Sequence, residues 1–208
     1  MTCEKFVELI VDYLAGGSCP ADLRGKYHPL IVREYASLVY GEILYQINAN
    51  AIDYRDFGQL DSYVKAYKNV AVQYDAERDE HYSLLPASVV QLPKNRGIRS
   101  ISPSQDQRQK FWYSDNNTDD VYSELEVGKI INRVRYYVEN NKVYYRNYDH
   151  NFTGLLFKLI VPFSEFADTE NIPIPAQQNS QVFNMIVNLL RQKVSEKNTN
   201  DNHTKTQV

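Results

Sequence analysis

Four histidines, at positions 28, 81, 150 and 203, are the side chains of this 208-residue chain best suited to proton transfer or metal ligation. None has a partner at a useful spacing. His28 precedes Pro29 and reads as a helix-entry residue. His81 follows Asp79-Glu80, an arrangement that would suit acid–base or metal chemistry but reads better as a charged strand end. Cys3 and Cys19, the two cysteines, lack metal-binding spacing and imply a reducing compartment. The carboxylate pairs Asp53/Asp56 and Asp119/Asp120 cannot be set on opposite sides of a cleft, as a glycosidase would need. Lys94-Asn95-Arg96-Gly97-Ile98-Arg99 gathers basic groups around a glycine and could grip a phosphate. A lone glycine outside a strand–loop–helix setting reads instead as a surface loop. Trp112, between Phe111 and Tyr113, is either a sugar-stacking platform or core. With no HExxH, nucleophile elbow or CxxC in the chain, it is expected to be no enzyme and to need no cofactor or metal.

What the sequence offers in abundance is contact surface. It holds 17 tyrosines, most densely in the run from Val134 to Tyr148. Tyrosine combines a large apolar ring with one polar handle, which suits surfaces covered by a partner yet rimmed by water. With Asn140-Asn141 as a two-residue turn, the run folds into a hairpin that sets Glu139 against Lys142, Val138 against Val143, Tyr137 against Tyr144 and Tyr136 against Tyr145. Valine and tyrosine pairs then share one face, and tyrosine and Glu–Lys pairs the other. One face should cover the core and the other a further layer or a neighbouring subunit.

The elements that must carry this hairpin follow from periodicity. Phe6, Leu9, Ile10, Tyr13 and Leu14 mark one apolar stripe on a first helix, ended by Gly16-Gly17. Pro29 opens a second helix whose inner face is Val32, Tyr35, Ala36, Val39, Tyr40, Ile43 and Ile47. Ile31, Leu38, Leu44 and Tyr45 spread apolar surface onto its flanks, so it is either buried or shared with another chain. Runs at 63–67 and 70–74 read as strands, 94–110 as a long loop, 110–113 as a strand, 115–120 as a turn-rich loop, and 155–163 as a buried strand. Val182, Phe183, Ile186, Leu189, Leu190 and Val194 stripe a C-terminal amphipathic helix, and 195–208 is a polar tail with almost nothing to bury, expected to be disordered. The fold class is α+β. Its expected parts are a helical segment at 1–50, a central antiparallel β-rich core at 51–170, the C-terminal helix at 171–194 and the tail at 195–208.

A net charge of −3 argues against a dedicated nucleic-acid binder. Local charge is less even: 75–80 and 115–126 are acidic, whereas Lys94, Arg96, Arg99, Arg108 and Lys110 face Asp106 alone. These read as solvated loops or as complementary edges of neighbouring copies. Glu4, Glu8 and Asp12 rule out a secretory apolar core in the first helix, and the apolar run 154–166 is too short to span a bilayer, so a soluble protein made in a cytosol is expected.

Three segments carry a resemblance. Leu84-Leu85-Pro86 leads into Val89 through Ile101, Glu170-Asn171-Ile172-Pro173-Ile174-Pro175-Ala176 introduces a helix, and an Asn/Asp-rich stretch, Asn198 to Asn202, lies near the C-terminus. This grammar is similar to the virion proteins of tailed phages infecting gut Bacteroidetes, the crAss-like group. The layout resembles their head-to-tail connector (neck ring or adaptor) proteins. The resemblance implies a homo-oligomeric ring of about a dozen copies beneath the portal protein, touching other neck and tail proteins. DNA would pass through its centre without specific binding, no membrane would be involved, and the chain would be made in the host bacterial cytoplasm. Candidate subunit or portal contacts are Tyr137, Tyr144, Arg96, Arg99, Phe183, Ile186 and Leu190. The alternative expectation is a carbohydrate-binding or other β-rich interaction module without catalysis.

Overall fold

A computed structural model describes residues 1–14, 29–50, 56–114, 133–148, 152, 154–172, 174 and 180–192. The chain forms two compact units, Met1–Tyr63 with Pro162–Val208, and Val64–Val161. It is an α+β protein, with helices toward both ends and strands between.

The first unit contains α1 (Cys3–Leu14), α2 (Pro29–Asn50) and α3 (180–192), together with 3-10 helices at Asp56–Tyr63 and Phe163–Glu165. The opening amides of α1, which no helical carbonyl can satisfy, are taken by a distant stretch of chain. Cys3 N–H donates to the Glu170 carbonyl at 2.9 Å and Glu4 N–H to that of Asp168 at 3.0 Å. Thr2 bridges Asn171. These bonds set the roll of α1. Cys3, Phe6, Val7 and Ile10 are therefore the buried face, while Leu9 and Tyr13, expected inside, are exposed. On α2 the inner face is as expected from Val32 through Ile43, with Leu44 added and Ile47 half-buried. Phe6, Tyr40, Tyr63, Phe163 and Phe166 build an aromatic core with ring centroids 5.7–6.4 Å apart. Arg33 of α2 clamps the return segment by donating to the Asp168 carboxylate and the Phe166 carbonyl. On α3 Val182, Ile186, Val187 and Leu190 are buried. Val194 and the polar tail at 195–208 lie outside the described residues, as does the acidic loop at 115–120.

Among the described residues the second unit holds eight strands: β1 (Val64–Val70), β2 (Gln73–Asp75), β3 (Glu80–Leu84), β4 (Ile98–Pro103), β5 (Trp112–Tyr113), β6 (Arg135–Glu139), β7 (Lys142–Arg146) and β8 (Leu155–Ile160). They form a three-stranded sheet, β1-β8-β4, and a five-stranded one, β2-β3-β7-β6-β5. The central β8 is buried along Leu155, Leu156, Phe157, Leu159 and Ile160, an apolar run interrupted by half-buried Lys158 and typical of a strand covered on both faces. The described ladders are antiparallel, as expected of the central β region, with one two-residue parallel exception, β5–β6. The loop expected at 94–110 also contains a strand. Its Ser and Arg residues hide the pattern, yet β4 pairs with β8 from Ile98↔Leu159 to Pro103↔Leu155.

The β6–β7 hairpin has the expected register, from Tyr136↔Tyr145 to Glu139↔Lys142. Asn140 and Asn141 both take positive φ, 49° and 63°. That is the type I′ geometry whose twist matches antiparallel strands.

Candidate functional site

Alternation along the hairpin puts Tyr137 and Tyr144 on one face of the five-stranded sheet, where their rings stack 5.2 Å apart. β3 adds Glu80 and Tyr82 to this face, and β2 adds Asp75. Tyr137 and Tyr144 were expected as subunit or portal contacts, and here side chains of the same chain cover them. Arg78, in the β2–β3 turn, reaches across to a bidentate pair with Glu139 and lays its guanidinium 4.7 Å from the Tyr144 ring. Lys142 sits 4.4 Å over Tyr82, and Arg146 sits 5.2 Å over Tyr137. Tyr137 and Tyr144 are left only 8% and 3% exposed. The Tyr137 hydroxyl donates to Glu80, and burial together with that bond pushes its pKa up to about 12. Arg78 holds the Glu139 carboxyl below its ordinary value. Cations over aromatic faces, tied to carboxylates, make this a closed, self-satisfied lattice.

At one end of the same sheet lies an open depression of about 730 Å³. His81 stacks on Tyr148 at a centroid distance of 5.1 Å and meets the Tyr74 ring, tilted by 53°, at 5.2 Å. Asp79, Glu80, Arg135, Arg146 and Asn147 complete the lining. Two carboxylates balance two guanidiniums, so the site has aromatic faces and hydrogen-bonding groups with little net charge from its Asp, Glu and Arg side chains. Such a surface suits an uncharged polar ring. It offers His81 no metal partners: among the described residues no cluster of three or more His, Cys, Asp or Glu could hold a metal ion.

Two further patches among the described residues expose apolar side chains. On α2, Ile31, Leu38 and Tyr45 recur every seven residues on the side away from the buried face, and Leu38 and Tyr45 are 63% and 54% exposed. Glu34 and Glu42 flank them, also exposed. A Cβ built on Gly41 would meet no atom within 4 Å. On the second unit, β5 is a sheet edge whose Trp112 and Tyr113 are 43% and 44% exposed. Arg133 lies 4.7 Å over the Trp112 ring, so one face of the indole is taken by a cation rather than left for a sugar.

The structure distributes the residues singled out in the sequence. Tyr137 and Tyr144 come together but under their own lid. Ile186 and Leu190 are buried within the first unit, and Phe183 is half-buried, packing edge-on against Tyr13 at 5.3 Å. Arg96 and Arg99 are half-buried. Gly97 is no phosphate-loop glycine: a Cβ there would lie 2.2 Å from the Val90 carbonyl oxygen, and its own carbonyl accepts from Ile160 N–H at 2.8 Å. The α2 stripe was visible as flank residues. The Tyr74–His81–Tyr148 cluster was not, because Tyr148 comes from a stretch far along the chain that no local signal aligns with the Tyr74–His81 cross-strand pair. No protein-family model matches the chain, and no curated protein matches it in sequence.

Proposed function

We propose that this chain is a structural subunit of a tailed-phage virion, one of the copies in the ring that joins portal to tail and surrounds the DNA passage. The observation that carries the assembly reading is the second apolar face of α2. Ile31, Leu38 and Tyr45 are solvent-facing in the isolated chain, at a spacing that keeps one seam of a helix pointed at a neighbour. The phage assignment rests on the layout resemblance stated above. The test is an affinity pull-down of the tagged chain from its native context, with partners identified and counted by mass spectrometry. Recovery with a portal-like protein in ring-sized stoichiometry is expected. A lone monomer without any virion partner overturns the reading.

One observation favours a second reading, a carbohydrate-binding module: the charge-balanced aromatic depression around His81. That reading requires chemical-shift changes at Tyr74, His81 and Tyr148 on titration with neutral oligosaccharides, abolished by Tyr74→Ala. An unchanged spectrum discards it.

A further inference from the structure

We infer that the β2–β3 turn, residues 76–79, is a latched strap: the Arg78–Glu139 pair holds it over the Tyr144 ring, and release of that pair uncovers the ring. The inference deepens the assembly reading and rests on it for the use to which Tyr144 is put.

The latch is wetter than what it covers. The side chains of Arg78 and Glu139 are 41% and 39% exposed, whereas Tyr144 is buried, stacked on Tyr137. Water and ions therefore reach the pair while the ring beneath stays dry. An ion pair in that position holds weakly, since solvent screens it and two long side chains must be ordered to make it. A cation over an aromatic face at the surface adds a contribution of similar size. Closed and open arrangements of the strap are accordingly close in free energy.

The bonds around the turn fall into two sets. Glu77 N–H donates to the Asp75 carboxylate at 3.1 Å, and the Tyr74 hydroxyl donates to Asp79, whose φ of 54° turns the chain into β3. Those bonds lie within the β2–β3 hairpin, so they shape the turn whether or not it is fastened down. Arg78 reaches out of the hairpin, to a carboxylate 61 residues away. The sheet beneath does not depend on that reach, because β3 is held to β7 by its own ladder from His81↔Tyr145 to Leu84↔Lys142. Tyr137 keeps its own partners, Glu80 and Arg146, when Arg78 leaves. The strap can thus lift while the sheet and the rest of the lattice stay in place.

The open state presents the Tyr144 ring beside that of Tyr82, 5.7 Å away between centroids, within a charged rim. Aromatic rings in such a rim are the usual anatomy of an interface. In the free chain the strap withholds Tyr144 from neighbouring copies.

The test treats full-length chain with tetranitromethane and follows nitration of each tyrosine by mass spectrometry. Exposed Tyr45 gives the reference rate, and buried Tyr145, on the opposite face of the sheet, reports unfolding. In wild type, Tyr144 should react at least about fivefold faster at about 0.5 M than at about 0.02 M sodium chloride, with Tyr145 unchanged. Glu139→Gln leaves Arg78 in place and removes the charge it closes on, so Tyr144 should react at the fast rate at both salt concentrations. The double reversal Arg78→Glu/Glu139→Arg should restore the slow, salt-dependent rate. Salt-independent protection in wild type, protection that persists in Glu139→Gln, or a folded double reversal that fails to restore it overturns the strap. A Tyr145 rate that rises in step with Tyr144 marks global unfolding and overturns it too. Failure of the neck reading looks different. Salt-gated Tyr144 in a chain recovered without any virion partner sinks the neck assignment only. A chain recovered with a portal-like protein whose Tyr144 ignores salt sinks the strap only.

Discussion

Ring hydroxyls that burial keeps neutral tie this fold to pH. Burial pushes the Tyr63 pKa up to about 12, and burial with the Glu80 bond does the same for Tyr137. Burial also raises Tyr40, Tyr136 and Tyr145. Each folded value lies above the unfolded one of about 10, so the fold favours the protonated phenol. That stability is complete below about pH 10 and is lost as pH rises toward the folded values. The melting temperature should therefore hold level up to about pH 10 and fall beyond it. The last part of the tyrosinate absorbance rise should coincide with loss of the far-ultraviolet dichroism. Full ionisation with dichroism intact would show that these rings reach solvent in the native state. A second residue-scale expectation concerns Gly97, where a methyl would meet the Val90 carbonyl oxygen at 2.2 Å. Backbone cannot swing aside as a side chain can, so Gly97→Ala should destabilise by about 1–3 kcal/mol in urea unfolding.

Among the elements, α2 and the β6–β7 hairpin make opposite demands on their small residues. Gly41 lies within a helix where an added Cβ meets nothing, so Gly41→Ala should stabilise the isolated chain by about 0.5–1 kcal/mol. If a neighbour seats on that face, the same methyl should weaken self-association. A variant that both melts higher and associates as well as wild type would remove Gly41 from the contact. In the hairpin, Asn140→Ala should cost about 1 kcal/mol, because alanine tolerates positive φ less well than asparagine. Asn141→Gly should be neutral or stabilising in the same unfolding assay. The hairpin was legible from sequence because turn chemistry and cross-strand pairs are local and agree with each other. The strand β4 was not: Arg99, Ser100 and Ser102 break its apolar pattern, and pairing with β8 alone defines it. The cover over Tyr137 and Tyr144 was hidden for a related reason. It depends on the 75–80 turn folding back until Arg78 meets Glu139, 61 residues away in sequence.

At the scale of the whole molecule, the two units differ in how the chain builds them. Val64–Val161 is one continuous segment containing every strand and sheet found among the described residues. The other unit is discontinuous: the first amides of α1 bond to residues 168 and 170, so its N-terminal half is completed by the chain's return. A fragment of 64–161 should accordingly unfold cooperatively, whereas 1–63 alone should not.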